Sequence, residues 1–162
     1  MTNREFAQRW AQTRTTDIAA HEALYAPDKK FVIELATVDD HMEDSINDHD
    51  ELRSRLSFWS NTDVTSGEGV HTITVTDVFE GNAHVFVHWD YAVQHLASFH
   101  GLPAEGKTLS TVASTFLEFD DEGLIVQEAT IINDNPIYQQ LGLPIVTPHY
   151  WEEGFDFSTL AG

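Results

Sequence analysis

Apolar residues recur at helical spacing in three stretches of the first third of the chain and at strand spacing through most of the remainder. Phe6 and Trp10 share one face of a segment that Thr2 and Glu5 can open as a capping box, which predicts a helix to about Arg14. Thr15-Thr16-Asp17 can cap a second, in which Ile18, His21, Leu24 and Tyr25 recur until Ala26-Pro27 stops it. Phe31 to Val38 reads as a strand, with Glu34 set among apolar neighbours. Asp48 and Glu51 can cap a third helix, whose Leu52, Leu56 and Trp59 share a face and which ends near Ser60-Asn61.

The period then changes to two. His71 to Phe79 is rich in Val, Ile and Thr, Glu80-Gly81-Asn82 makes a hairpin turn, and Ala83 to Phe99 is long enough to need a bend. A break comes at His95 to Lys107, with turns supplied by Gly101, Pro103 and Gly106. Thr108 to Phe119 and Leu124 to Ile132 complete the strands. Asn133, Asp134 or Asn135 can cap a short helix with Pro136 in its first turn and Gly142 as its stop. Helix, helix, strand, helix, then an antiparallel meander and a final helical turn is an α+β layout: a long bent sheet wrapped about N-terminal helices into a cone with an open mouth.

Composition narrows what such a fold can do. With 162 residues and no repeat or linker, one domain spanning 1–162 is expected, able to bury roughly two thirds of its unfolded surface. The segment 145–162 forms an aromatic, acidic tail expected to dock across the barrel mouth or on a partner chain. There is no cysteine, which removes thiolate and disulfide chemistry. The charged N-terminus and the lack of an apolar run of about 20 residues argue against a secretory signal or membrane span, so a soluble, cytoplasmic protein is expected. With 27 acidic residues against 8 basic ones the formal charge is −19, which repels nucleic acid and anionic lipid. Asp39 to Glu51, acidic and without Lys or Arg, lacks the glycine and ligand register of a calcium loop and is expected to be a solvated, mobile loop.

Strand alternation sorts the polar side chains. Val85, Val87, Trp89, Tyr91, Val93 and His95 form the apolar face of the long strand, so Tyr91 and His95 point into the cone unless a bulge changes the parity, while His88 and Asp90 point outward. On the last strand Glu128, Thr130, Ile132 and Asp134 share one face and Gln127, Ala129, Ile131 and Asn133 the other; either can be the inner one. Glu128 is a pocket carboxylate in the first case and a salt-bridged or solvated edge residue in the second. Glu34 either faces water or serves a site. His84 and His88 lie roughly 13 Å apart on a strand, too far to chelate one ion, so no metal is expected.

The segment HLASFHGLPAEGK, His95 to Lys107, resembles the HTGxxxGxPPTGK signature of SnoaL-like proteins, a branch of the nuclear transport factor 2-like superfamily. Trp89 stands six residues before His95 as in that family's strand, Gly123 to Glu128 resembles its GKIVEE, and Gln139 to Pro144 is similar to its closing helix. The resemblance implies the α+β barrel read above, a homodimer, and cofactor-free cyclisation, isomerisation or dehydration of a small hydrophobic, cyclic ketone or polyketide-like molecule. It implies His95 as acid/base, with Asp134 or Glu128 as a second acid/base group. Tyr25, Trp89 and Tyr91 then serve as walls or hydrogen-bond donors, and Trp10, Thr130 and Glu34 complete the substrate site. The pattern departs where family members carry a Trp-Asp acid, since Ala129 and Thr130 stand there, and Asn133 takes the place of a later Asp. That departure motivates the alternative of a non-catalytic ligand-binding or dimerisation module.

Overall fold

The computed structural model describes residues 2–37, 45–143 and 154. The C-terminal tail, Gly154 apart, and the first part of the acidic stretch expected to be a mobile loop lie outside the described residues.

Helix α1 (Asn3–Thr16) opens on the capping box read from the sequence: Thr2 Oγ1 accepts from the Glu5 amide at 3.2 Å and Glu5 Oε2 from the Thr2 amide at 2.8 Å. Helix α2 (Ile18–Glu22) is capped by Asp17. It ends before the expected Ala26, because Leu24 and Ala26 exchange backbone hydrogen bonds with Ile125 and so fasten Tyr25 to the sheet. Strand β1 (Val32–Thr37) is followed by β2 (Ser45–Ile46), so part of the acidic stretch expected to be loop is a short edge strand. Helix α3 (His49–Trp59), capped by Asp48, buries Leu52 and Leu56.

The long strands are β3 (Glu68–Glu80), β4 (His84–Leu96), β7 (Leu109–Phe119) and β8 (Ile125–Ile132), and the break between β4 and β7 folds into a small hairpin of β5 (Ser98–Phe99) and β6 (Leu102–Pro103). Helix α4 (Asn135–Gln140) closes the described chain with Pro136 in its first turn. The main sheet runs β2-β1-β8-β7-β4-β3. All neighbours are antiparallel except β1 and β8, which are parallel, a pairing the meander did not foretell. Register shifts at Val75/Asp77 and Glu118/Phe119 mark bulges, the devices that bend long strands.

Inside the curved sheet, Val85, Val87, Trp89, Tyr91 and Val93 of β4 are buried as the alternation requires, together with Leu109, Ala113 and Leu117 of β7. Helix α1 covers them with Ala7, Trp10 and Ala11, and Trp10 meets Trp89 edge to face, ring centroids 6.0 Å apart. On β8 the buried set is Ile125, Glu128 and Thr130, which settles the open face: Glu128 points inward and Ile131 outward.

Candidate functional site

Glu128 lies in register with Ile33 of β1 and Leu117 of β7, beneath α1, and is wholly buried. A carboxylate there requires donors, and the fold supplies four. Arg14 Nη1 donates to Oε1 at 2.7 Å, with the Thr130 hydroxyl at 3.3 Å; Trp10 Nε1 donates to Oε2 at 2.9 Å and the Tyr25 hydroxyl at 2.5 Å. Burial alone would push the Glu128 carboxyl up, but the Arg14 guanidinium and the donors hold it below the usual range, so it is ionised at neutral pH. Burial and the adjoining carboxylate push the Tyr25 phenol well up, which keeps its proton in place.

Two chains of donors converge on this carboxylate. Tyr25 commits its one proton to Glu128, so His21 Nε2, 3.1 Å from the phenol oxygen, donates to it, and His21 Nδ1 faces Thr13 Oγ1 at 3.0 Å. On the other side Trp89 Nε1 donates to Thr115 Oγ1 at 2.9 Å, Thr115 lies 2.8 Å from Thr130, and Thr130 reaches Glu128. Every strong acceptor position of Glu128 is taken. It anchors the Arg14 guanidinium at 2.7 Å.

His21 is held neutral, its pKa pushed down to about 3 by burial and by the Arg14 charge. The unfolded chain therefore takes up a proton near pH 6.5 that the folded chain refuses, and stability falls as pH drops below that value. Between pH 7 and pH 5 this one group is expected to remove about 2 kcal/mol, the integral of a one-proton slope of about 1.4 kcal/mol per pH unit. Urea midpoints across that range check it: His21→Asn should flatten the slope by close to one proton, and an unaltered slope would remove His21 as its source.

Arg14 joins this centre to a second one. Its guanidinium carbon lies 5.3 Å from the Trp10 ring centroid and 5.4 Å from that of Trp59 at the end of α3. Trp59 in turn contacts the His71 and Tyr91 rings, at centroid distances of 5.4 and 5.3 Å. Tyr91 Oη and His71 Nδ1 are 2.8 Å apart across the β3/β4 pair, and the rings stack at 26°. Both side chains are buried; burial lowers the His71 pKa, against a contact with the Glu68 backbone that raises it, and burial pushes the Tyr91 phenol well up. Among the described residues, two buried side-chain nitrogens find no hydrogen-bond partner: Arg14 Nε and His71 Nε2. Both belong to side chains in contact with Trp59.

The expected site residues divide accordingly. Trp10, Tyr25, Glu128 and Thr130 meet in one network, Trp89 joins it through Thr115, and Tyr91 faces inward in the neighbouring aromatic cluster. His95 does not point into the cone: its backbone is left-handed, φ 58°, which breaks the alternation so that Val93 and Leu96 are buried while His95 is exposed. Asp134 is half-buried and outside the Glu128 network, because β8 ends at Ile132 and the backbone has turned helical at Asp134. Glu34 pairs with Ala129 on the outer side of the sheet, one residue out of phase with Ile33 and Glu128. Arg14, His21, His71, Thr13, Thr115 and Trp59 are the network residues that sequence reasoning does not place in the site.

The curved sheet wrapped on N-terminal helices is a fold shared with a nuclear transport factor 2-like protein of unknown function from Cytophaga hutchinsonii, with 12% identity, a TM-score of 0.56 and coverage of 85% and 96%. The sequence profile of SnoaL-like polyketide cyclases matches residues 33–141, and the chain belongs to that family. No curated protein sequence matches it. Among solved structures it is similar to IdmH of Streptomyces antibioticus, a candidate polyketide cyclase, with 20% identity, a TM-score of 0.68, and 88% of this chain and 100% of that one covered. A phenazine biosynthesis-related protein of Pseudomonas aeruginosa gives 22% identity, a TM-score of 0.68 and coverage of 95% and 88%. An epoxide hydrolase of the LEH-like kind from M. tuberculosis gives 12%, 0.58, and 85% and 86%. No helix among the described residues is long and apolar enough to cross a membrane.

Proposed function

We propose that this protein is a cofactor-free acid/base catalyst acting on a small hydrophobic cyclic ketone or polyketide-like molecule, by cyclisation, isomerisation or dehydration, with His71 and Tyr91 as the reacting pair. The observation that carries the reading is the 2.8 Å contact between Tyr91 Oη and His71 Nδ1 beside a buried His71 Nε2 that has no partner among the described residues. With Nδ1–H donated to Tyr91 Oη, Nε2 carries an unshared pair and the phenol proton is free to turn toward a guest. Base and acid then stand side by side. Nε2 removes a proton α to a carbonyl, the C–H electrons move toward the carbonyl oxygen, and Tyr91 supplies a proton where the new bond or leaving group requires one. His71, lowered by burial, is unprotonated at neutral pH, as a base must be. Trp59, Phe58 and Tyr91 provide an apolar, aromatic wall. Exchange of the α-hydrogens of a cyclic ketone with solvent deuterium, lost in His71→Asn, is the test.

A second reading, a non-catalytic binder of the same molecules, is favoured by Ala129 and Thr130 at the positions of the family's Trp-Asp acid and by the saturation of Glu128. Tight binding of a cyclic ketone without exchange would select it.

The outer face of the sheet supports a homodimer in either case. Phe79, Phe86, Val112 and Ile131 stand exposed on adjacent strands there. Sedimentation should give a dimer for the wild type and a monomer for Val112→Asp/Ile131→Asp; a monomeric wild type contradicts the proposal.

A further inference from the structure

Removing a proton α to a carbonyl puts negative charge on the carbonyl oxygen, and that oxygen needs a donor in a site from which water is excluded. His71 and Tyr91 handle protons; neither is free to hold the oxygen throughout. Arg14 offers the missing group. Its Nη1 is committed to Glu128, and its guanidinium carbon lies over the Trp10 and Trp59 rings, which together fix its position. Its Nε is buried and has no acceptor among the described residues. The Arg14 side chain retains 11% of its surface, whereas Glu128 retains none, so Arg14 is the more accessible member of the ion pair. The second unpartnered nitrogen, His71 Nε2, belongs to a ring in contact with the same Trp59.

We propose that Arg14 Nε–H is the hydrogen-bond donor to the carbonyl oxygen of the substrate, which lies against Trp59 with its oxygen toward Arg14 and its acidic C–H toward His71 Nε2. This rests on the acid/base reading above and adds to it the substrate's polar handle. The ion pair of Arg14 with Glu128 is neutral overall, and the handle it recognises is an uncharged carbonyl that becomes an enolate. A planar ring system matches the flat indole wall, and one donor at Nε accounts for one oxygen.

The probe is 1-tetralone, with tetralin as the same bicycle lacking the oxygen. In 15N-labelled wild-type protein the Arg14 Nε–H resonance should move on adding 1-tetralone and stay in place with tetralin. By tryptophan fluorescence the ketone should bind about 10-fold or more tighter than the hydrocarbon, the worth of one hydrogen bond from a charged donor. Arg14→Lys, which keeps a cation for Glu128 but has no Nε–H at that position, should bring the two affinities together and lower α-deuteration of 1-tetralone by about 10²- to 10³-fold. An Nε–H signal indifferent to the ketone, or a ratio that survives in folded Arg14→Lys, overturns the assignment. The wild-type resonance decides the matter even where the variant does not fold. An Nε–H shift with no deuteration sinks the acid/base reading and leaves the carbonyl donor standing; deuteration with no shift does the reverse.

Discussion

Arg14→Met will destabilise the protein by about 3 to 5 kcal/mol at pH 7, the range found when one partner of a buried ion pair is removed. Methionine has nearly the length of the arginine stem and can fill the space between Trp10 and Trp59, so the loss is electrostatic. The residue left behind is Glu128, wholly buried, with three donors and no counter-charge. The pH dependence identifies the cause. In the wild type Arg14 holds the Glu128 carboxyl below its ordinary value, so the pair contributes stability above pH about 4.5, and that contribution disappears as pH falls through the folded-state value. Without Arg14, burial pushes the same carboxyl up, and the variant's deficit must shrink on acidification as Glu128 takes a proton. Loss of the Arg14 charge also relieves His21, which acts in the same direction. Urea unfolding of both proteins at pH 7 and pH 5 measures this. A deficit below about 1 kcal/mol at pH 7, or one that grows toward acid, would show that the pair is not what holds Glu128 in place.

The fold is largely legible in the sequence because its signals are local and agree with one another. The Thr2 and Glu5 capping box, the Asp17 and Asp48 caps and the alternation of β4 from Val85 to Val93 each need only a few neighbouring residues, and each stands as read. The site is only partly legible, for physical reasons that differ by residue. Strand β8 carries isoleucine on both faces, at Ile131 and Ile132, so alternation alone does not orient Glu128; its pairing with Ile33 and Leu117, long-range facts, does so. Arg14 escapes notice because a charged residue on an amphipathic helix is ordinarily a solvated one. A signal is available, since Arg14 follows Trp10 by four residues and Ala7 by seven, on the stripe that α1 buries. His71 is recognisable only through Tyr91, twenty residues later, once the β3/β4 register is known. His95 misleads for the opposite reason: its motif position is right and its parity plausible, but one left-handed residue at the end of β4 turns the side chain to solvent. Glu34 and Asp134 carry the same lesson, one out of phase by a residue and the other just past the strand that would have aligned it.

We propose that proton transfer in this cone is the work of His71 and Tyr91, with neither His95 nor Glu128 acting as the base. The decisive experiment follows the incorporation of deuterium at the α-carbon of 1-tetralone by NMR, at neutral pD, with wild type, His71→Asn and His95→Asn side by side. Asparagine at position 71 can still donate to Tyr91 Oη but has no basic nitrogen where Nε2 stood. The expected result is exchange well above buffer for the wild type, a loss of about 10²- to 10⁴-fold in His71→Asn, the range a positioned acid/base group supplies, and an unchanged rate in the exposed His95→Asn. Exchange that persists in His71→Asn, or that disappears in His95→Asn, would refute the assignment of the base to His71.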